Sequence, residues 1–452
     1  MQIVIIGCGK VGKTLVSQLV AENHNITVID TDPEVVEDIT ELYDVLGIVG
    51  NGTSNQILQS ADIEHTDVLI AVTDRDEVNL LCCVIAKQKS TCHTIARVRN
   101  PIYSAERHFL RHELQLSLTI NPEQEAAREI ARLLQFPNAV EIDSFAQDRI
   151  DMLRFRIGKE SPLAEKALRD LSPILGGNIL VCMAGTENGA VLIPDGNYVV
   201  KVGDTLTIIT MPGEAEKFFS RIGITTNKVK NAIIIGGGGI SYYLTEFLLK
   251  MGIDVKIIEQ NKERCEELND LFPSAVIDCG DGSSQELLNA EHLESMDSLV
   301  ACTGIDEVNA ILSLYARKKV RKKVVTKLNH VEFDDVIDSL DLDSVVNPRK
   351  LTAQKILQYI RAMNNSMGSN VETLYRLMNG KVEALAFIIQ KESPVTGVRL
   401  ADLRTKQNTL IAGIIRGGRL IIPGGQDAIE VGDSVIVVTT NLGFVDISDI
   451  LD

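Results

Sequence analysis

Two kinds of hydrophobic pattern run along this chain. In the first, short unbroken apolar runs alternate with stretches of helical period. Ile3–Ile6 is such a run, and Val11, Leu15, Val16 and Leu19 then recur at helical spacing around a segment from Gly12 to Glu22. Ile26–Ile29 is the next run and ends at Asp30, and Pro33 is suited to open the following helix. Val68–Val72, a helix near Val78–Lys87 and the "TIARV" run at 94–98 continue the alternation. Continuous apolar strands separated by helices predict a parallel sheet covered on both faces. The second pattern begins near Ser161-Pro162, where serine can cap and proline can open a helix expected over Leu163–Leu171. Strands are expected at 178–184, 190–193 and 205–210, with "PDG" and "VGD" supplying the turns. This segment reads as a small α+β module without clustered carboxylates or histidines.

Both patterns occur twice. Gly7 and Asp30 recur as Gly236 and Glu259, "GNGTSNQIL" at 50–58 as "GDGSSQELL" at 280–288, and "DVLIAVTDRDEVNLL" at 67–81 as "DSLVACTGIDEVNAIL" at 297–312. "KESP" stands at 159–162 and 391–394, and "IPDGNYVVKVGDTLTIIT" at 193–210 returns as "IPGGQDAIEVGDSVIVVTT" at 422–440. The expected fold class is therefore α/β, a duplicated Rossmann-like domain with each copy followed by a small α+β domain. The expected boundaries are 1–136, 137–226, 227–365 and 366–452, with junctions near Pro137, Thr225–Lys230 and 355–380.

Composition narrows the functional classes. The chain has 452 residues and a formal net charge of -17, which disfavours nucleic acid or anionic lipid as a general partner. No stretch of about 20 apolar residues is present, so no membrane span is expected, and with the first strand starting at once no signal peptide is expected either. The eight cysteines form no C-x-x-C pair and mostly sit in apolar segments, as reduced buried thiols do, and no metal site is expected.

The candidate chemistry lies at the ends of the predicted strands. Gly7, Gly9 and Gly12 form G-x-G-x-x-G directly after a strand. Gly7 permits the tight turn, Gly9 lets a pyrophosphate approach the backbone, and Gly12 allows close helix–strand packing. The helix then offers free N–H groups to the phosphates. Asp30, at the end of the second strand, would accept from the ribose hydroxyls and repel a 2′-phosphate, so NAD is favoured over NADP. The second copy keeps Gly236 and Gly238, adds Gly237 and Gly239, and has Ser241 in place of Gly12, where the close approach is expected to loosen. It could bind the same ligand, bind a different adenine nucleotide, or be a structural copy.

No catalytic constellation accompanies these loops. None of the seven histidines recurs in both halves; His108 and His112 share a helix face without an H-E-x-x-H pattern. Asp76-Glu77-x-Asn79 does recur, as Asp306-Glu307-x-Asn309, either to cap the following helix or to approach the ligand. Arg97 is matched by Lys327, each placed to meet a phosphate or to remain a surface cation. "RKKVRKK" at 317–323 is the densest basic run, expected on a solvated helix end, with an acidic partner or a membrane surface as the alternative contact.

The tandem arrangement, with "IVIIGCGKVG", Asp30, "GNGTSNQIL", "AVTDRDEVN", "IARVRNPIY" and "IPDGNYVVKVGDTLTI", resembles the TrkA family of bacterial Trk potassium uptake systems, built from two RCK (KTN) repeats. The resemblance implies a regulatory subunit without chemistry of its own, binding NAD or NADH and also ATP or ADP. It implies a cytoplasmic location, peripheral on the inner face of the membrane, and assembly as a ring on a multi-span potassium-translocating subunit similar to TrkH or TrkG. Carried onto this sequence, the ligand residues of the first repeat are Gly7, Cys8, Gly9, Lys10, Val11 and Gly12, with Asp30, Asn51, Thr73, Asp74 and Arg97. Those of the second are Gly236, Gly237, Gly238, Gly239 and Ile240, with Glu259, Asp281, Thr303, Gly304 and Lys327. Family members usually carry aspartate where this chain has Asn51. An NAD-dependent oxidoreductase and a structural or redox-sensing protein are the competing classes.

Overall fold

The computed structural model describes residues 1–106, 110, 113–135, 139–145, 150–176, 179–186, 190–211, 214–222, 229–329, 340, 342–366, 371–377 and 381–452. His108, His112, His330 and the expected junction at Pro137 lie outside the described residues.

The first apolar runs form a six-stranded parallel sheet from β1 (Gln2–Ile6), β2 (Asn25–Asp30), β3 (Leu46–Val49), β4 (Val68–Ala71), β5 (His93–Arg97) and β6 (Leu118–Ile120). Its order is β3-β2-β1-β4-β5-β6, the doubly wound arrangement, with the reversal of direction between β1 and β4. Ile3, Val4, Ile5 and Ile6 are at most 2% exposed because helices cover both faces. The covering helices carry local signals. Asp32 caps the helix Pro33–Leu42 by accepting from Glu34 N–H, and Asn100 caps Pro101–Ala105 in the same way. The second repeat builds an equivalent sheet from β12 (Asn231–Ile235), β13 (Asp254–Glu259), β14 (Val276–Cys279), β15 (Ser298–Ala301), β16 (Lys323–Lys327) and β17 (Ser344–Val346), in the order β14-β13-β12-β15-β16-β17.

The two small sheets are antiparallel and five-stranded. The first consists of β7 (Ala139–Phe145), β8 (Ile150–Arg156), β9 (Ile179–Gly185), β10 (Val191–Leu192) and β11 (Thr205–Thr210) in the order β10-β9-β11-β8-β7. The second consists of β18 (Val371–Leu377), β19 (Val382–Ile388), β20 (Thr409–Arg416), β21 (Arg419–Ile421) and β22 (Ser434–Thr439) in the order β18-β19-β22-β20-β21. The structure groups like with like. One compact unit comprises Met1–Ala131, Asn231–Lys319 and Val325–Ile360, and so holds both parallel sheets; the other comprises Arg132–Lys230, Val320–Val324 and Arg361–Asp452. Within the second unit the two small sheets share one core, in which Met152, Met183 and Ile209 meet Ala384, Ile436 and Val438.

Two local expectations are corrected. No helix covers Leu163–Leu171; that stretch is a turn followed by a short 3-10 helix, Leu168–Leu171. Its backbone is drawn out to pair with a returning segment: Glu165 N–H and Leu168 N–H donate to Val200 O and Tyr198 O, at 2.7 and 3.0 Å. Glu165 takes a left-handed conformation (φ 60°) that interrupts any helix. The basic run is also not wholly solvated, because Lys323 enters β16 and is only 1% exposed. Of the eight cysteines, Cys279 is exposed and the others are buried.

Candidate functional site

The first glycine loop sits where the sheet changes direction. Gly7 has φ 94°, and a Cβ there would lie 2.6 Å from Thr73 N, so only glycine fits between β1 and the end of β4. Gly9 is the N-cap of the helix Lys10–Ala21, with no side-chain cap on the first-turn N–H groups, and a Cβ on Gly9 would meet nothing within 4 Å. That open space faces uncapped donors at the positive end of a helix, the arrangement that receives phosphate. Gly12 packs one turn further along, against the Gly7 carbonyl, and any side chain there would overlap it. Asp30 closes the loop from β2, its carboxylate accepting from Cys8 N–H at 2.6 Å and from Asp32 N–H at 3.1 Å. The Cys8 thiol points inward, and burial, with Asp30 beside it, pushes it up to about 12, which leaves it protonated and unreactive.

A second set of residues fixes the opposite wall. Asn79 is fully buried; its Oδ1 accepts from Thr73 N–H and Oγ1 at 2.8 and 2.7 Å, and its Nδ2 donates to Thr73 O and Arg97 O at 3.1 and 3.0 Å. Asp76 accepts from the N–H groups of Arg99 and Asn100, both at 2.8 Å. Neither side chain caps its helix, whose N-cap is Arg75. Instead they tie the loops after β4 and β5 together. Arg97 is thereby aimed across the strand ends, donating to Thr73 O. Asn309 and Asp306 repeat these contacts with Thr303, Lys327 O and Asn329 in the second copy.

Between the two walls lies a cavity of about 590 Å³. Gly7, Gly9, Lys10 and Val11 line its phosphate end, Asp30 and Asn51 one side, and Thr73, Asp74 and Arg97 the other. Cys8 and Gly12 lie behind the loop, outside the lining. Asn51 Oδ1 accepts from Thr53 N–H and Oγ1, the same turn that Asp281 makes with Ser283, so asparagine keeps the turn and removes a charge. In the second copy a cavity of about 430 Å³ is lined by Gly236, Gly237 and Gly238, by Glu259 and Asp281, and by Thr303 and Gly304. Gly239, Ile240 and Lys327 do not line it. Lys327 is buried and donates to Thr303 O at 2.9 Å.

The second copy compensates for its departures. Glu259 accepts from Gly237 N–H at 2.5 Å, as Asp30 does from Cys8. A Cβ at 237 would lie 3.0 Å from Glu259 Cγ, so glycine there makes room for the extra methylene. Ser241 does not leave a gap; it is fully buried, and its hydroxyl donates to Gly236 O.

Three charged residues escaped the sequence reading, and the first is Arg75, which lines the first cavity. Arg349 lines the first cavity, although it belongs to the second repeat. Glu123, its counterpart in the first repeat, lies against Gly239, where a Cβ would overlap its carboxylate. The available signal was the recurrence of Asn121-Pro122 as Asn347-Pro348, which puts Glu123 and Arg349 in register. Among the described residues no group of three or more His, Cys, Asp or Glu side chains is placed to hold a metal, and no described histidine lines either cavity.

Comparison with known proteins agrees with this duplicated plan. The TrkA-N domain family matches residues 3–122 and 232–348, and the TrkA-C domain family matches 152–223 and 385–441. The chain is 32% identical over 446 residues to "Trk system potassium uptake protein TrkA homolog 1" of Methanosarcina mazei, covering 97% of each. It is 28% identical over 451 residues to "Trk system potassium uptake protein TrkA" of Vibrio alginolyticus, covering 98% of this chain and 97% of the relative. Among solved structures, the GsuK channel superposes with a TM-score of 0.65 at 17% identity, covering 97% of this chain and 77% of that one. The GsuK channel bound to NAD superposes with a TM-score of 0.64, also at 17% identity. Matched by both domain families in both repeats and by these relatives along nearly its whole length, the chain belongs to the TrkA family of Trk potassium uptake proteins.

Proposed function

We propose that this chain is a nucleotide-sensing regulatory subunit that gates a membrane potassium-uptake pathway, with its first glycine loop as the primary sensor. The observation that carries the reading is the first cavity. Uncapped helix N–H groups after Gly9 open onto a cavity lined by four cations, Lys10, Arg75, Arg97 and Arg349, with Asp30 and Asp74 as its carboxylates. That is a charge pattern matched to a nucleotide, with phosphates at the cations and ribose hydroxyls at the Asp30 carboxylate. Relatives named as potassium uptake proteins supply the transport context, and the GsuK structures bound to NAD and to ADP supply the ligand class. The ligand would be NAD or NADH, with ATP or ADP as alternatives; Asp30 disfavours the 2′-phosphate of NADP.

A sensor needs only that ligand bind one assembly state better than another, and a coupling of about 1–3 kcal/mol shifts a gate roughly 5- to 150-fold. No described helix is long and apolar enough to cross a membrane, so the conducting element would be a separate multi-span subunit, of the TrkH or TrkG kind, on whose cytoplasmic face this chain sits. Self-assembly as a ring is supported by exposed apolar residues at equivalent places in both repeats. Leu42, Leu46 and Leu81 have Leu271, Val276 and Ile311 as counterparts, each at least 48% exposed. Among the lining carboxylates, Asp30 and Glu259 accept from backbone N–H groups of the glycine loops and Asp281 from Ser283, an engagement that suits ligand binding more than proton transfer. The test is calorimetric titration with NAD, NADH, NADP, ATP and ADP, repeated on Asp30→Ala and Glu259→Ala. Binding lost in Asp30→Ala supports the reading, and the absence of any nucleotide binding by the wild-type chain overturns it.

A further inference from the structure

The two repeats each lend one side chain to the other's phosphate loop, and the two loans carry opposite charge. Asn121-Pro122 and Asn347-Pro348 open the equivalent helices Pro122–Gln135 and Pro348–Ser366. Asn121 Oδ1 accepts from the N–H groups of Glu123 and Gln124, and Asn347 Oδ1 accepts from those of Arg349 and Lys350, all at 3.0 Å. The first helical turn is thus held identically in both copies, which fixes where residues 123 and 349 point. Arg349 Nη1 donates to Asn329 O at 2.8 Å, and the residue borders the first cavity, whose lining also includes Lys10 and Arg97. Glu123 lies instead on Gly239, in the first turn of the helix Gly239–Lys250. The helix bearing Glu123 is locked to that second-repeat helix, because Asn121 Nδ2 donates to Tyr243 Oη at 2.9 Å and to Arg99 O at 3.0 Å.

The consequences appear in the linings. The first cavity has four cations, Lys10, Arg75, Arg97 and Arg349, against Asp30 and Asp74. The second has Glu259 and Asp281 and no lysine or arginine, and it stops at Gly238, short of the helix turn that Glu123 covers. A carboxylate beside the positive end of a helix takes the place that a phosphate would occupy, and it repels a second anion. Arg99 and Arg97 of its own repeat partly balance Glu123, as does Arg264, which donates to Gly237 O without entering the second lining.

We propose that Arg349 is a phosphate-contacting residue of the first nucleotide site and that Glu123 is a built-in anion that closes the second site to di- and polyphosphates. The first repeat is then the sensor for charged nucleotides, and the second can accept only the uncharged end of such a ligand, its nucleoside. The exchange also couples the repeats, since a phosphate drawn onto Arg349 pulls on the second repeat. This inference rests on the reading of the first cavity as a nucleotide site.

The experiment titrates the full chain with ATP by calorimetry, comparing wild type, Arg349→Gln, Arg349→Lys and Glu123→Gln, each checked to melt no earlier than wild type. Wild type is expected to take one ATP per chain. Arg349→Gln should weaken that site about tenfold or more, as loss of one charge-assisted contact does, with Arg349→Lys between the two. Glu123→Gln should add a second equivalent of ATP that Glu259→Ala then removes. Two equal ATP sites in wild type, or an affinity unchanged in Arg349→Gln, would overturn the proposal while leaving the nucleotide-sensor reading intact. Failure of wild type to bind any ATP or NADH would overturn both. If a glutamine variant melts early, the Arg349→Lys result alone decides its arm, and an adenosine titration decides the other. Binding of adenosine, but not ATP, at the Glu259 site supports closure by Glu123; ATP binding there refutes it.

Discussion

Asn79 is the side chain on which the far wall of the first cavity depends, and replacing it should loosen that wall by a calculable amount. It makes four hydrogen bonds from a fully buried position, two accepted from Thr73 and two donated to Thr73 O and Arg97 O. In Asn79→Ala the Thr73 carbonyl keeps the Arg97 guanidinium as donor, whereas Thr73 N–H and Arg97 O lose these partners. Each such orphaned group costs about 1–3 kcal/mol, and partial solvent access places the pair near 2–4 kcal/mol. Native-state hydrogen exchange of the peptide spanning Thr73 is the assay, because it reads local opening without assuming a two-state transition in a multidomain chain. Exchange should accelerate roughly 30- to 700-fold, since about 1.4 kcal/mol corresponds to a factor of ten. Nucleotide affinity at the first cavity should fall in parallel, because Arg97 and Thr73 both line it. Asn309→Ala makes the matching cut at Thr303 in the second repeat and should speed exchange there while leaving first-site affinity unchanged. Acceleration of less than threefold at Thr73 would refute the assignment of Asn79 as the organiser of this wall.

Other consequences can be checked separately. Gly397 has φ 70° with nothing near its missing Cβ, and its counterpart Glu165 holds φ 60°, so Gly397→Val should cost about 1–2 kcal/mol by backbone strain alone, while Glu165→Gly should cost less than about 0.5 kcal/mol, both by denaturant melting of the intact chain. Burial holds the Glu123 carboxyl above its ordinary range, against the opposing pull of Arg99, Arg97 and Arg264 and with Asp76 adding to the rise. An acid raised on folding destabilises the fold when ionised and ceases to do so as pH falls through its folded value. Glu123→Gln should therefore raise the melting temperature at pH 7.5 or so, with the gain shrinking towards about pH 4, and a gain that grows on acidification would contradict this. Asp30→Asn, which keeps an acceptor for Cys8 N–H but drops the charge, should relax discrimination against NADP while retaining NAD binding, as read by competition titration.

Much of this architecture can be read from the chain because the duplication doubles every signal. The buried strands announce themselves as unbroken apolar runs, and the glycine loops recur with their acids, Asp30 and Glu259. What escaped was whatever depends on tertiary pairing. Leu163–Leu171 has good helix formers, yet backbone bonds to Tyr198 and Val200 override propensity. The second copy carried the clue, since Gly397 marks the left-handed position that Glu165 occupies less visibly. Arg349 and Glu123 were invisible as site residues because each acts on the repeat to which it does not belong, and no local pattern encodes that. The roles of Asn79 and Asp76 were only half legible. Their recurrence was plain, but cross-linking two loops cannot be told from helix capping by spacing alone.

The central claim is that occupancy of the first glycine loop changes potassium conduction in a separate membrane subunit. The direct measurement is potassium flux into proteoliposomes that contain a multi-span Trk-type translocating subunit and this chain, with and without NADH or ATP. The account predicts a nucleotide-dependent change in flux that is abolished by Asp30→Ala and requires the chain to be present. A flux unaffected by nucleotide in the wild-type complex, although the nucleotide is bound, would contradict it.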